Sequence, residues 1–253
     1  MQKNTPQLWD SLWKETSEEE DRYNLIREEK GIRWQRIEKE VLKNFGTFKN
    51  LKVIEVGAGG GTNALLFAKK GSKVTILDYS KKALERSKEF FKRNKCKANF
   101  LLADALKLSP KLKGKYDLSL SFGLAEHFIG KERTLVIKSH LDLVNDKGMI
   151  VISVPNKWCF PYRLHKTLLQ LIKKWKYGEE YPFSRLELKK IALRLNLRKI
   201  KFIGDSFFKS FRYVNPFLLL TRKNRNYKRL KKERGSFLDS YFSYSLVLIA
   251  RKN

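Results

Sequence analysis

Residues 53–62, VIEVGAGGGT, carry an apolar run through a glutamate and then place four glycines within five positions. Glycine loses more conformational freedom on folding than any other residue. Such a cluster therefore has a local reason, either backbone in the left-handed region or a ligand passing close to the main chain. The stretch LKVIEV (51–56) reads as a buried strand, and GGTNALLFAKKG after it as a helix stopped by Gly71. A strand, a glycine turn and a helix open a parallel sheet, and in such sheets ligands bind beyond the carboxyl ends of the strands.

The same alternation continues on both sides of the glycines. SKVTILD (72–78), ANFLLAD (98–104), YDLSLSF (116–122) and GMIVISV (148–154) read as strands. SKKALERSKEFFKRN (80–94), capped by Ser80, and residues 131–144 read as the intervening helices. The spacing predicts a doubly wound, mostly parallel α/β sheet. Residues 8–44 are expected to be helical, with Leu8, Leu12, Leu25, Ile32, Ile37, Val41 and Leu42 as their apolar positions. Beyond Val154, residues 163–176 and 184–196 look helical, 198–204 and 243–251 look like strands, and 205–242 form an insertion rich in aromatic and then basic residues.

Composition narrows the classes. A chain of 253 residues with 42% hydrophobic content can bury a full core, and its apolar runs fall far short of the roughly 20 residues that a membrane span needs. The polar, acidic N-terminal stretch lacks the apolar segment of a signal peptide, so a cytoplasmic protein is expected. Cys96 and Cys159 have no metal-ligand spacing and read as ordinary thiols. The net charge of +29 favours anionic partners, nucleic acid or an acidic membrane surface among them, and is equally met by a generally lysine-rich composition.

The glycine register decides between ligands. Asp78 follows Gly57 by 21 residues at the end of a strand, the place of a carboxylate that binds ribose hydroxyls. A dinucleotide fingerprint G-x-G-x-x-G would need glycine at 62, where this chain has Thr62. The pattern Glu55-x-Gly57-x-Gly59-x-Gly61 instead resembles the first motif of the class I S-adenosylmethionine-dependent methyltransferases (methyltransferase type 11/12-like). Asp78, Asp104 and the SFGLAEHF segment (121–128) follow in the family's order over about residues 50–155.

The resemblance implies a Rossmann-like seven-strand methyltransferase sheet in one domain over 1–253. Its parts would be an N-terminal helical cap (1–48), a cofactor-binding core (49–155) and substrate or lid helices, a basic insertion and closing strands (156–253). It implies S-adenosylmethionine as cofactor. Glu55, Gly57, Ala58, Gly59 and Gly61 would shape the pocket for its methionine part and Asp78 would hold the ribose. Asp104 and Ala105 would sit near the adenine amino group, with Tyr79 and Phe122 completing the pocket. Glu55 has a plainer alternative role in orienting loop amides, and Asp104 in capping the next turn.

Methyl transfer is an in-line displacement, so alignment supplies most of the acceleration, and a hydroxyl acceptor also needs its proton removed. Glu126 and His127 lie just past the fourth strand and are the candidate catalytic pair; an imidazole titrating near pH 6.5 suits general base work. The pair resembles that of quinone O-methyltransferases, where an upstream acid helps to hold a metal ion. Here Phe122, Gly123, Leu124 and Ala125 precede it, so no metal is expected. Trp9 and Trp13 from the N-terminal cap, with Asn156, Trp158 and Tyr162, are the candidate contacts to a small or medium-sized acceptor methylated on O or N.

Three other readings stay open. The basic run TRKNRNYKRLKKER (221–234) around Tyr227 suits RNA phosphates and base stacking. The stripe Leu164, Leu168, Leu171, Ile172 and Trp175, flanked by Arg163, Lys166, Lys173 and Lys174, suits either a lid over the active site or an interfacial helix of a lipid or quinone enzyme. A cofactor fold that binds a partner without catalysis is the third.

Overall fold

The computed structural model describes residues 4–14, 17–214, 230 and 232–252. Seven described strands form one sheet: β1 (Lys52–Val56), β2 (Lys73–Asp78), β3 (Ala98–Leu102), β4 (Tyr116–Phe122), β5 (Val144–Pro155), β6 (Arg198–Gly204) and β7 (Ser245–Arg251). Their order is β3-β2-β1-β4-β5-β7-β6. All neighbours pair in parallel except β7, which runs antiparallel to β5 and to β6. The expected doubly wound sheet is what the chain forms. Its order reverses between β1 and β4, the point at whose carboxyl edge sheets of this kind bind their ligands.

Side chains of successive strand residues point to opposite faces, and the core divides accordingly. Val53, Val74, Ile76, Leu118, Leu120 and Val151 face one apolar cluster; Ile54, Val56, Leu77, Ile150, Ile152 and Leu248 face the other. The first cluster is closed by α3 (Ile32–Phe45), α4 (Thr62–Lys69) and α5 (Lys81–Arg93), through Trp34, Ile37, Phe67 and Phe91. The second is closed by α6 (Lys131–Leu143) and α8 (Arg185–Arg194), through Val136, Ile137, Leu188 and Ile191. No helix among the described residues is long and apolar enough to cross a membrane.

The expected helical stretch at 8–44 is three helices: α1 (Pro6–Lys14), α2 (Glu18–Glu29) and α3. Ser17 starts α2 by accepting from the Glu20 amide at 3.2 Å, and Gly31 starts α3. Gly46, at φ 73°, closes α3 in the left-handed conformation that a glycine stop requires. Of the three, α3 and, through Leu25, α2 join the core, while α1 lies across the carboxyl edge of the sheet beside α5. Ser80 caps α5 as expected, accepting from the Ala83 amide at 3.0 Å. The late helices are α7 (Phe160–Leu171), α9 (Phe207–Ser210) and α10 (Asp239–Phe242). Tyr227 and the basic residues 221–229 and 231 lie outside the described residues.

Candidate active site

The glycine turn after β1 uses its freedom. Gly57, Gly59 and Gly61 have φ of 63°, 52° and 71°, in the region that side chains disfavour. Space is short as well: a Cβ on Gly57 would stand 2.7 Å from Leu124 beyond β4, and one on Gly61 2.9 Å from Ile76. The Gly57 and Ala58 amides donate to the Leu77 carbonyl at 2.8 and 3.3 Å, which ties the turn to the end of β2. Glu55 lies under the loop, buried, and accepts from the Ala64 amide at 2.6 Å. Burial pushes its carboxyl up to about 8, against the pull of that hydrogen bond.

Asp78 closes the other side. Its Oδ2 accepts from the Gly59 amide at 2.8 Å and its Oδ1 from the Ser80 amide at 2.9 Å. Burial raises its pKa, while these backbone donors act in the opposite direction. A carboxylate offers about four acceptor positions, so beside its backbone donors Asp78 keeps room for a further donor such as a ribose hydroxyl. Beyond β3, Asp104 accepts from the Leu106 amide at 2.8 Å and so caps its turn; Ala105 beside it is buried.

Helix α1 covers this edge. Trp13 lies on the glycine turn, so that a Cβ on Gly59 would come within 2.1 Å of its indole. The Trp9 ring meets His127 edge to face at 4.9 Å. Asp10 accepts from the Ser80 hydroxyl at 2.6 Å and from the Lys82 amide at 3.1 Å. Asn4, just before the helix, donates to the carbonyls of His127 and Glu179 at 3.2 and 2.9 Å. The helix thus bridges the cofactor loop and the candidate catalytic pair, which sequence spacing alone does not reveal.

His127 sits in a short turn, Ala125–His127, after β4. Its Nδ1 is 2.7 Å from the Glu179 carbonyl. A carbonyl only accepts, so Nδ1 carries the hydrogen and Nε2 keeps the lone pair of the neutral ring. Desolvation lowers the histidine's pKa, so the neutral form prevails at pH 7. Glu126 is buried, and its Oε2 has no hydrogen-bond partner among the described residues. Burial, and then the neighbouring Glu180, push its carboxyl well above the usual range.

Around this pair lies a polar cluster. Tyr162 donates to Glu180 at 2.6 Å, and Lys166 pairs with the same carboxylate at 3.6 Å and donates to the Glu180 carbonyl. The rings of Tyr213 and Tyr244 pack on Tyr162 with centroids 5.2 and 4.5 Å away. Arg33, from α3, grips Glu28 through two bonds of 2.9 and 2.6 Å and reaches Ser153 and Ser245 at 3.2 and 3.3 Å. Its guanidinium stands 5.1 Å over the Phe122 ring. Arg33, Glu180 and Tyr244 carried no motif signal, since each is one charged or aromatic residue in a segment full of them, and Lys166 read only as a cationic flank of the 163–176 stripe.

The structure brings Glu55, the glycines, Asp78, Trp9, Trp13 and His127 to one edge, with Glu126 and Tyr162 inside the polar cluster. Tyr79 joins them, its pKa raised by burial and by Asp78 and Asp104, with a hydrogen bond to Trp9. Two predicted acceptor contacts fall elsewhere. Asn156 spends its side chain on structure, donating to the Tyr241 carbonyl at 2.7 Å and accepting from the Trp158 amide at 3.0 Å. Trp158 is 59% exposed on the outer surface.

Residues 53–148 match the family model of a methyltransferase domain. The chain carries a class I methyltransferase domain that uses S-adenosylmethionine. The methyltransferase is 28% identical over 186 residues to a ubiquinone biosynthesis O-methyltransferase of Pelagibacter ubique, covering 70% of this chain and 76% of that protein. A protein of the same name from Rickettsia felis is 25% identical, with 61% of this chain and 62% of its own length covered. Among solved structures, magnesium protoporphyrin IX methyltransferase from Synechocystis with bound SAH shares the fold at TM-score 0.56 and 18% identity, over 87% of this chain and 82% of that one. The residues present fit the methyl donor: the glycine-rich turn and the remaining acceptor capacity of Asp78 suit a ribose-bearing molecule without a pyrophosphate.

Proposed function

We propose that the methyltransferase O-methylates a hydroxyl group on a ring-bearing, largely apolar small molecule, with His127 as general base. The observation that carries this is the fixed imidazole. Nδ1–H is held by the Glu179 carbonyl at 2.7 Å, which leaves Nε2 as a neutral acceptor. A hydroxyl acceptor gains from such a base as its O–C bond forms, because the proton must leave. The names of the relatives agree with an O-linked product.

When bound, S-adenosylmethionine supplies an electrophilic methyl group. Gly57, Ala58, Gly59 and Gly61 with Glu55 would hold its methionine part and Asp78 its ribose, with Tyr79, Asp104, Ala105 and Phe122 around the adenine. His127 takes the acceptor's proton at Nε2. Glu126, kept neutral by burial, orients the acceptor hydroxyl through its unpaired oxygen. Trp9 offers a flat wall to a ring, and α1 excludes water from the edge that it covers. Free Cys96 and Cys159 fit a reducing compartment, and we place the enzyme in the cytoplasm.

The test uses a panel of water-soluble catechols, phenols and amines with labelled methyl donor, the products being identified by mass spectrometry. Methyl ethers formed by the wild type and lost in His127→Ala support the proposal. Products methylated only on nitrogen, or turnover unchanged in the variant, overturn it. Of the two anionic partners that the charge suits, an acidic membrane surface is favoured by the exposed apolar face of α7.

A further inference from the structure

Helix α7 is built inside out. Tyr162 and Lys166 point inward and are buried against Glu180, where their polar groups are paired. Phe160, Leu164, Leu168 and Leu171 point outward and are 71%, 39%, 47% and 73% exposed. At 100° per residue these four fall within one quarter of the helix circumference. A soluble helix normally shows the reverse arrangement, and an exposed apolar stripe of this kind marks a contact surface.

The stripe continues at both ends and sideways. Trp158 before the helix and Ile172 after it are 59% and 57% exposed. The 211–214 turn is tied to α7 by Tyr213, which packs on Tyr162 and on His165 at 5.2 and 5.5 Å, and it carries the exposed Phe211. On the other flank, Asn156 links Trp158 to Tyr241 of α10, where Tyr241 and Phe242 are 49% and 44% exposed.

Charge selects the occupant. Residues 156–178 contain no acidic residue. Lys157, Arg163, Lys173, Lys174 and Lys176 are exposed around the apolar face. Leucines and aromatics on one side, ringed by lysine and arginine, match the interface of an anionic bilayer, in which the apolar side chains enter the acyl boundary while the cations stay at the headgroups. No described helix can span the bilayer, so the contact is a surface one. We propose that the outward face of α7, with Trp158 and the flanking aromatic residues, docks the protein on anionic lipid membranes. The docking goes beyond the proposed reaction and does not depend on it. It would bring the acceptor side of the enzyme to the place where apolar acceptors dissolve.

Flotation of the full chain with phosphatidylcholine vesicles, with and without 30% phosphatidylglycerol (roughly the anionic content that draws basic segments), tests this without methyl donor or acceptor. The wild type is expected to float with the anionic vesicles. Leu168→Glu/Leu171→Glu should reduce the bound fraction at least tenfold by the loss of two buried apolar side chains. Lys173→Glu/Lys174→Glu should abolish the preference for anionic over neutral vesicles. Leu193→Glu, at a 56% exposed position on α8, should float like the wild type. All four positions on α7 and its end are exposed, and an unchanged melting temperature and unchanged circular dichroism show that the variants fold. Wild type that stays at the bottom of the gradient overturns the proposal, as does undiminished flotation of the Leu168/Leu171 variant. Self-association of the wild type through this face, with no vesicle binding, overturns it in favour of a second copy.

Discussion

The two sides of the carboxyl edge are built differently. At β1 and β2 every functional side chain lies within 24 positions, Glu55 to Asp78, and its polar atoms are held by main-chain amides: Ala64 for Glu55, Gly59 and Ser80 for Asp78. At β4, β5 and β7 the cluster draws on Arg33, Glu126, Tyr162, Glu180 and Tyr244, and one of its carboxyl oxygens, Glu126 Oε2, has no partner among the described residues. A site held by backbone is fixed by local geometry and recognises one constant ligand. A site assembled from distant side chains is free to vary, and an unpaired buried oxygen there costs stability unless a ligand completes it. That division matches an enzyme with a fixed methyl donor and a particular acceptor.

The largest effect should come from the variable side. His127→Ala is expected to lower turnover by about 10²- to 10⁴-fold, the range for losing a general base, while cofactor affinity stays within about threefold. A calorimetric titration beside a rate measurement checks both. Equal losses in binding and rate would mean that His127 supports the cofactor side and would erase the division.

Gly59→Val attacks the constant side. It forces a branched residue to φ 52° and drives its Cβ into the Trp13 indole. Cofactor affinity should fall by about 100-fold or more, given roughly 1–3 kcal/mol of backbone strain with the steric conflict added. Asp78→Ala comes next, with an expected loss of about 30-fold, because the Gly59 and Ser80 amides lose their acceptor and the ribose loses its partner. Retained affinity in either variant, by calorimetry, would place the donor elsewhere on the sheet.

Much of the constant side is legible in sequence, because strand, glycine turn and carboxylate are all local patterns. LKVIEV became β1, Ser80 became the cap, and Gly57, Gly59 and Gly61 took the positive φ that their spacing suggests. The variable side is not legible, because its contacts join residues that no period connects. Asn156 looked available and is consumed by the Tyr241 carbonyl. The leucine stripe at 163–176 suggested either a lid with its apolar face over the site or an interfacial helix, and the face points outward, away from the site. Tyr162 and Lys166 gain Glu180 only in three dimensions, and that pairing outweighs burial of the leucines. Trp175 leaves the stripe because α7 ends at Leu171; its indole turns back to donate to the Gly178 carbonyl at 2.8 Å.

The smallest effect separates two histidines that burial treats alike. His140 lies in the core of α6, fully buried, with Nδ1 2.8 Å from the Ser119 hydroxyl and no described partner on Nε2. Burial lowers its pKa to about 3 from the ordinary 6.5. The unfolded chain therefore takes up a proton between pH 6.5 and 3 that the folded chain refuses. Stability from this group is full above 6.5 and declines as pH falls, by about 1.4 kcal/mol, or tenfold in the folding constant, at one unit below that value. His140→Gln should flatten the fall of denaturant midpoint between pH 7 and 5.5 and leave the pH dependence of turnover unchanged. His127, whose pKa is lowered too, should set the acid limb of turnover below pH 6.5, since protonation at Nε2 removes the base. If His140→Gln shifted the acid limb of turnover instead, the core histidine would be coupled to the reaction, and the boundary between the variable side and the core beneath it would have to be redrawn.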